Sequence, residues 1–480
     1  MLPDCRIADD PYLIPKFDIT VDDLDGIVDE LRGFHEQFND CFLRSEPREN
    51  FFYYMVGQLS PLERKSIEPI ALNIENAKVR AMQFFVSDAY WDENKIMSKY
   101  RSMVKDDMGE PDGVLIFDES GMVKKGNESA GVARQYCGNI GKVENCQVGV
   151  YVGYATRHGY CLLGSRLYVP EIWFSDEYAG RRKRCRFPAD LTFKTKPQIA
   201  AELLEEIAQS GQIPFRYVVA DSVYGNCPIF RKAVESIPDV AYLVGMPNNT
   251  QCWLGRPITE KKEYKHGRVR KTKLILKASE KDPITFDAFA KSLNNFFWYR
   301  GKVSEGTKGP IEYEFTKRQI VLARDGLPED DVWLIIRRTL GENPIYSYYI
   351  SNAMGSTRLK SFVWLSGVRW AIEQCFEEAK TELGMDHYEV RKWPGWIHHM
   401  MTCMLAHFFL WHIKVRLGKK TPAVTVSQIR LLLRIVLPMK QFSPNGIIEL
   451  IKGIQLRNHR AYISHRKRKL PEALFSQLSL

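Results

Sequence analysis

The spacing of apolar residues divides the chain into stretches of different period. Ile19, Val21, Leu24, Ile27, Val28 and Leu31 recur at a helical spacing, with Asp18 or Thr20 as a cap. Pro61-Leu-Glu-Arg opens a second helix, since proline is tolerated in a first turn, and Ile74 to Ala89 gives a third. Residues 18–105 are therefore expected to be helical. From Asp112 the texture changes. Gly113 to Asp118 is a short apolar run ending in a carboxylate, followed by the turn signal Ser120-Gly121. Residues 147–155 and 160–169 read as two further strands. Lys196 to Ser210 places Ile199, Leu203, Leu204 and Ile207 on one helical face. Arg216 to Asp221 is again an apolar run closed by an aspartate, Cys227 to Ile237 a helix, and Ala241 to Met246 a strand. The order β-β-β-α-β-α-β predicts an α/β fold, a sheet flanked by helices.

Residues 250–350 break this rhythm. They are basic, rich in glycine and aromatics, and strand-like at Lys273–Leu276, Ile311–Phe315, Arg318–Ala323, Val332–Arg337 and Tyr346–Ile350. Helices resume near Ser356, with Phe362–Leu383 and Trp396–Leu417 the clearest, and shorter ones follow over 421–455. There is no internal repeat or low-complexity segment. The length of 480 residues, with 45% hydrophobic and 26% charged residues, fits a multidomain globular chain. No window is long and uncharged enough to cross a membrane, and the acidic start, MLPDCRIADD, is unlike a signal peptide. An intracellular protein is expected. The ten cysteines are scattered without a CxxC pair and read as reduced thiols.

The net charge of +10 is uneven. Acidic residues outnumber basic ones in the first 50, so the excess lies beyond them, in runs at Arg181–Arg186, Lys261–Lys277 and Arg466–Lys469. Such runs suit a polyanion partner or a plain solvated face.

Two of the strands end in aspartate, Asp118 and Asp221. Groups at strand ends line the ligand crevice of an open α/β sheet, though aspartate also serves turns there. A third element is the helix through Val368–Lys380. At about 100° per residue, Glu373 lies about 40° and Lys380 about 20° from Arg369, beside an apolar stripe of Ile372, Phe376, Ala379 and Leu383. Glu377 lies nearer solvent and Glu378 on the opposite side. A cation–carboxylate–cation line is either a salt-bridge ladder or part of a site. Two strand-end carboxylates and one helix carboxylate supply hard oxygen ligands suited to a pair of Mg2+ ions.

In this order of elements the chain resembles the RNase H-like catalytic core of DDE transposases from bacterial insertion sequences. In that family two Asp and one Glu hold two metal ions, and the Glu lies on a helix after the last strand. One branch carries a β-rich insertion between that strand and that helix. It also has a Tyr-x2-Arg-x3-Glu-x6-Lys signature, whose spacing Arg369, Glu373 and Lys380 match, while its tyrosine position is Ser366. Further stretches are similar to insertion-sequence transposases: Ser66–Ala71, Gly131–Cys137, Lys142–Gln147, Ala220–Gly225, Glu305–Pro310 and Trp370–Lys380. The resemblance spans roughly residues 60–410.

The resemblance implies a division into a helical DNA-binding region over 1–108, a catalytic core over 109–250 and 353–417, a β-rich insertion over 251–352, and a helical basic region over 418–480. It implies that Asp118 bridges both Mg2+ ions, with Mn2+ as a substitute, while Asp221 holds one and Glu373 the other. Water would then cut a DNA strand at the element's end, and the freed 3′-OH would attack target DNA. Arg369 and Lys380 would clamp phosphates. From the insertion, Trp298 would stack on a base, with Trp333 as runner-up, and Lys308 would contact phosphate; a core tryptophan and a solvated lysine are the plain alternatives. The partners are transposon-end and target DNA, with a homodimer on paired ends and no membrane. The expected location is the bacterial cytoplasm, on the nucleoid. An inactive DNA-binding descendant and a nuclease without strand transfer are the alternative functions. His399, Cys403 and His407 share a helical face, and their apolar neighbours predict core packing. Glu119 points to the opposite face from Asp118. The apolar residues Ile429, Leu432, Leu433, Ile435 and Val436 suit either the chain's own core or a dimer contact.

Overall fold

A computed structural model describes residues 16–266, 269–306 and 309–467. The N-terminal helices are α1 (Asp22–Asp25), α2 (Ile27–Glu36), α3 (Ser45–Leu59), α4 (Ile67–Asn73), α5 (Val79–Ser87) and α6 (Glu93–Met108). Then come β1 (Val114–Val123), β2 (Ala133–Cys137), β3 (Lys142–Thr156) and β4 (Gly159–Tyr168), the short α7 (Ala179–Arg184) and α8 (Lys196–Ser210). They are followed by β5 (Tyr217–Ala220), α9 (Ser222–Gly225), α10 (Pro228–Glu235) and β6 (Ala241–Met246). The strand β2 is the one core strand the periodicity does not announce, because its five residues ARQYC are mostly polar.

The core sheet follows from these pairings. β1 pairs with β3 antiparallel and with β5 parallel, β5 pairs with β6 parallel, and β3 pairs with β4 antiparallel. The order β4-β3-β1-β5-β6, with only β3 reversed, is the RNase H-like arrangement that the element order led us to expect. β1 starts as an unbroken apolar run because both its faces are covered: Val114, Leu115, Ile116 and Phe117 are all fully buried. Cover opens at Asp118 and Glu119, which are half-buried, and resumes at Ser120 to Met122. β1 does not end at Asp118, and the expected turn at Ser120-Gly121 is strand, because the ladder to β3 runs on to Val123. On one side α8 is fixed by a capping box between Thr195 and Gln198 with proline in the first turn, and it stops at Gly211 in the left-handed conformation.

Residues 251–352 add β7 (Gln251–Trp253), β8 (Thr259–His266), β9 (Val269–Leu276), β10 (Ile284–Thr285), α11 (Phe286–Ser292), β11 (Tyr299–Gly306), β12 (Gly309–Arg324), β13 (Leu327–Arg338) and β14 (Tyr346–Ser351). The strand segments expected at Ile311–Phe315 and Arg318–Ala323 are one continuous strand, β12, since Thr316 and Lys317 interrupt the apolar run without interrupting the ladder to β13. β14 pairs antiparallel with β6, so these strands extend the core sheet in the order β10-β7-β12-β13-β14-β6. Only the hairpin β8–β9 forms a sheet of its own.

The chain then returns in α12 (Leu359–Val368), α13 (Trp370–Leu383), α14 (Trp393–Gly418), α15 (Val426–Val436) and α16 (Pro444–Lys467). The single helix expected over Phe362–Leu383 is two, jointed at Arg369, where Ile372 N–H bonds the Arg369 carbonyl in a tighter 3₁₀-type turn (3.3 Å). α12 lies against β11, and a Cβ added at Gly367 would fall 2.4 Å from Val303 Cγ1.

α14 is the central post, buried nearly all round. Its polar face is internal cross-bracing, in line with the core reading of His399, Cys403 and His407. His399 Nε2 meets the Met385 carbonyl at 3.1 Å and its Nδ1 lies 2.7 Å from the Tyr54 hydroxyl. Burial holds His399 down to about 3, so it is neutral and accepts from Tyr54. Gln58 reaches Cys403 Sγ at 2.9 Å, and His407 Nε2 lies 2.8 Å from Glu378. Glu378 does stand opposite Glu373, but it is buried between Tyr160 and His407 and is no solvent-facing residue. Among the described residues no helix is long and apolar enough to cross a membrane.

The end of β5 depends on two glycines. A Cβ at Gly225 would fall 2.1 Å from the Gly245 carbonyl oxygen, and one at Gly245 would crowd the Asp221 backbone at 3.2 Å. Gly225→Ala is expected to destabilise the chain by about 1–3 kcal/mol through overpacking. Gly255→Ala, which meets open space, should stay within about 0.5 kcal/mol of wild type. Urea unfolding of the two variants checks this, and equal midpoints would contradict it.

Candidate functional site

Asp118 sits midway along β1, where its cover opens, at 14% side-chain exposure. Its Oδ1 accepts from the Glu119 N–H at 2.8 Å and its Oδ2 accepts from Arg369 Nη1 at 2.6 Å. The other nitrogen of the same fork, Nη2, donates to Glu373 Oε1. A single guanidinium thus draws the strand carboxylate and the helix carboxylate together. Asp221 follows directly on β5, next to β1, and caps α9 by accepting from the Val223 N–H at 2.9 Å. It enters the same field: Asp118 and Asp221 repel one another, and Arg369 attracts both.

Burial, against the pull of Arg369 and with the repulsion of Asp221, pushes the Asp118 carboxyl up to about 7. Asp221 is raised as well, first by burial and then by the neighbouring Glu119, against the Val223 N–H. Negative charge is therefore under-compensated at this point. Lys380 lies further along the same face of the strand, where its Nζ donates to Ser120 Oγ at 2.7 Å and burial lowers its pKa. The polar line Arg369–Glu373–Lys380 thus runs along β1.

The arrangement brings together Asp118, Asp221, Glu373 and Arg369, with Lys380 beside them. Glu119 points to the other face, where it pairs with Lys196 at 2.7 Å and accepts from the Tyr224 hydroxyl at 2.9 Å. Among the described residues no three acidic, histidine or cysteine side chains close around one point. The Arg369 fork bridges two of the acids, Asp118 and Glu373. The donor set nonetheless fits a divalent ion, because the acids are hard oxygen ligands and burial raises the carboxyls of Asp118 and Asp221.

Ser366, at the signature's tyrosine position, is buried, and its hydroxyl bonds back to the Val363 carbonyl at 2.7 Å. Trp298 is half-buried, with the Arg338 guanidinium 4.1 Å over its ring and its Nε1 shielded from solvent without a hydrogen bond. Trp333 is covered by Lys317 at 4.4 Å. The open aromatics nearby are Phe296, Phe297 and Tyr299, with Arg318 5.0 Å from the Phe297 ring. Lys308 lies outside the described residues.

The family model described as DDE superfamily endonuclease matches residues 37–310. The chain is similar to a protein of Microchaete diplosiphon described as the probable transposase for insertion sequence element IS701, with 24% identity over 349 residues, 72% of this chain and 78% of that protein. Among solved structures it is similar to the piggyBac transposase in a synaptic complex with hairpin DNA, at 10% identity and a TM-score of 0.40, over 87% of this chain and 78% of that one.

The raised Asp118 pKa has a consequence for stability. In the unfolded chain this carboxyl ionises near 3.8, in the folded chain near 7, so the folded state holds the extra proton between those values. Stability from this group is full at low pH and is lost as pH rises through about 7, by roughly 4 kcal/mol at most. In EDTA, Asp118→Asn should therefore melt higher than wild type at pH 8, with the gap less than half as large at pH 5 and closed only below about pH 4. A variant that melts lower than wild type by the same margin at both pH values would contradict the assignment.

Proposed function

The chain belongs to the DDE superfamily endonucleases, and we propose that it is the transposase of an insertion element, cutting DNA at the element's ends and joining it to a target. The observation that carries this reading is that one guanidinium bridges Asp118 of β1 and Glu373 of α13, with Asp221 of the neighbouring strand within its field. Asp118, Asp221 and Glu373 would hold Mg2+, two ions by the family pattern, or Mn2+ in its place. Bound there, the metal supplies activation of water and stabilisation of the attacking and leaving oxygens of a phosphodiester.

The chain's own groups do the rest. Asp118 and Asp221, whose carboxyls burial raises, would hold such an ion in their ionised form. Arg369 is released from its service as internal counter-cation, and its planar fork suits two phosphate oxygens. Lys380 adds a point charge further along β1. The insertion offers stacking and charge together, in Trp298 under Arg338 and in the open rings of Phe296, Phe297 and Tyr299. The hairpin β8–β9 sets Lys262 directly opposite Lys273, a like-charge pairing that costs stability in isolation and suits a phosphate backbone. Two ends must be cut and joined as a unit, so the reading includes a homodimer on paired ends. The presence of all three acids speaks against an inactive DNA-binding descendant.

The test is incubation of the chain with its own element's end DNA, a target plasmid and Mg2+. Wild type should nick at the element's end and give joined products. Asp118→Asn, Asp221→Asn and Glu373→Gln should each lose cleavage by about a thousandfold or more, with end binding retained. Glu377→Gln, exposed on the same helix, is the control; Glu378→Gln is unsuitable because its carboxylate is buried against His407. An Asp221→Asn protein that cleaves at the wild-type rate would overturn the assignment. Cleavage without joined products would identify a nuclease instead.

A further inference from the structure

The two strand acids stand where the ladder between their strands has just stopped. β1 and β5 pair from Val114 opposite Tyr217 to Phe117 opposite Ala220. Asp118 and Asp221 are the next residue on each strand. β1 runs on to Val123 along its other neighbour, β3, with Glu119 opposite Val150. After Ala220 the chain leaves the sheet instead, and Asp221 caps the four-residue α9. The ladder therefore ends one residue short of both acids, and their spacing has to be held by other contacts.

A side chain crosses that gap. Tyr224 of α9 is fully buried, and its hydroxyl donates to Glu119 Oε2 at 2.9 Å. Its ring lies 5.7 Å from Phe230, which itself meets Phe117 of β1 at 5.2 Å. On the opposite side α9 is seated on β6, where a Cβ at Gly245 would come 3.0 Å from the Ser222 nitrogen. α9 thus spans the end of β5, resting on one neighbouring strand and tied to the other. The acceptor of the tie is charged. The Glu119 side chain is 19% exposed, so its carboxylate needs a counter-charge, which Lys196 supplies at 2.7 Å. Lys196 holds the first position of α8, just after the Thr195 cap, where a cation meets the positive end of the helix dipole. Local stability would favour a neutral acceptor, which needs no such partner. A carboxylate makes the stronger bond to a hydroxyl, and its charge also reaches Asp221: after burial, Glu119 is the largest influence that raises the Asp221 carboxyl.

We propose that Glu119 is a positioning residue of the acid site: gripped by the Tyr224 hydroxyl, it holds the Asp221 turn against β1 and so sets the spacing at which Asp118 and Asp221 meet one metal ion. Glu119 touches neither the ion nor the DNA; it acts through Tyr224 and α9, as outer partners of metal ligands do. Lys196 neutralises it and has no part in the spacing. The inference rests on the metal-holding role proposed above for Asp118, Asp221 and Glu373. The plain alternative is that the Glu119–Lys196 pair only fastens α8 to the sheet. That alternative gives the weight to Lys196 and none to Tyr224.

Mn2+ binding to the full chain without DNA, followed by electron paramagnetic resonance, separates the two. Tyr224→Phe keeps the buried ring and removes only the hydroxyl; it should bind Mn2+ about tenfold more weakly than wild type. Glu119→Ala should fall as far. Glu119→Gln, whose amide oxygen still accepts from Tyr224, should stay within about threefold of wild type. Lys196→Met should bind at least as tightly as wild type. Far-ultraviolet circular dichroism at the titration temperature confirms that each variant is folded. Wild-type affinity in Tyr224→Phe would overturn the proposal. So would a Glu119→Gln variant as weak as Glu119→Ala, or a Lys196→Met variant as weak as Tyr224→Phe. Asp221→Asn is the reference. If it weakens Mn2+ binding and Tyr224→Phe does not, the positioning role fails and the metal reading stands; if neither weakens it, the metal reading itself fails.

Discussion

The guanidinium of Arg369 is the point on which the account turns. Its two nitrogens bind carboxylates 251 residues apart in sequence, Asp118 on the central strand, and four apart, Glu373 on its own helix. Without that cation, two buried acids and a third at the rim would face each other across a poorly solvated gap, and mutual repulsion would push the helix from the sheet. Much of the surrounding structure places this one group. Arg369 stands at the joint between α12 and α13 with helical backbone angles, so it keeps its i,i+4 place beside Glu373. Gly367 lets β11 come close enough to fix that joint, and the Gly225–Gly245 contact fixes the loop that carries Asp221. The internal bracing of α14 through Tyr54, Gln58 and His407 ties the N-terminal helices and α13 to one post, so the helix that carries Glu373 has a rigid back.

The strands and the acids were legible because they leave local signals. A strand covered on both faces reads as an unbroken apolar run; Asp221 is the first polar residue after such a run and ends it, whereas Asp118 only interrupts β1, which continues paired to β3 as far as Val123. The helical wheel likewise shows that Arg369, Glu373 and Lys380 share an edge. What was not legible depends on contacts between distant segments. The joint at Arg369 carries no proline or special residue; it is set by β11 lying on α12. The wheel sets Glu378 opposite Glu373, as it is, but shows a direction and not what stands there, which is Tyr160 and His407. Ser366 took a tyrosine's place in the signature, and its inward back-bond to Val363 shows that this position is now part of the helix packing.

The insertion shows the same division. Its aromatic and basic composition was plain, but which rings are open was not. Trp298 lies half-buried beneath Arg338, while Phe296 and Tyr299 beside it are exposed. Its strands prolong the core sheet through β14, so a force on the insertion is transmitted by backbone hydrogen bonds to β6 and hence to the strand that carries Asp221. In the same way the C-terminal isoleucines split between core and surface according to a helical phase that only the packed structure fixes.

The central claim is that Asp118, Asp221 and Glu373 form one cation site that Arg369 fills in the metal-free chain. Mn2+ binding to the full chain without DNA, followed by electron paramagnetic resonance, tests it most directly. The account predicts that Arg369→Ala binds Mn2+ about tenfold tighter than wild type or better, an effect of about 1.4 kcal/mol, because the competing cation is gone. It predicts that Asp221→Asn binds at least as much more weakly. Equal Mn2+ affinity in wild type, Arg369→Ala and Asp221→Asn would contradict it.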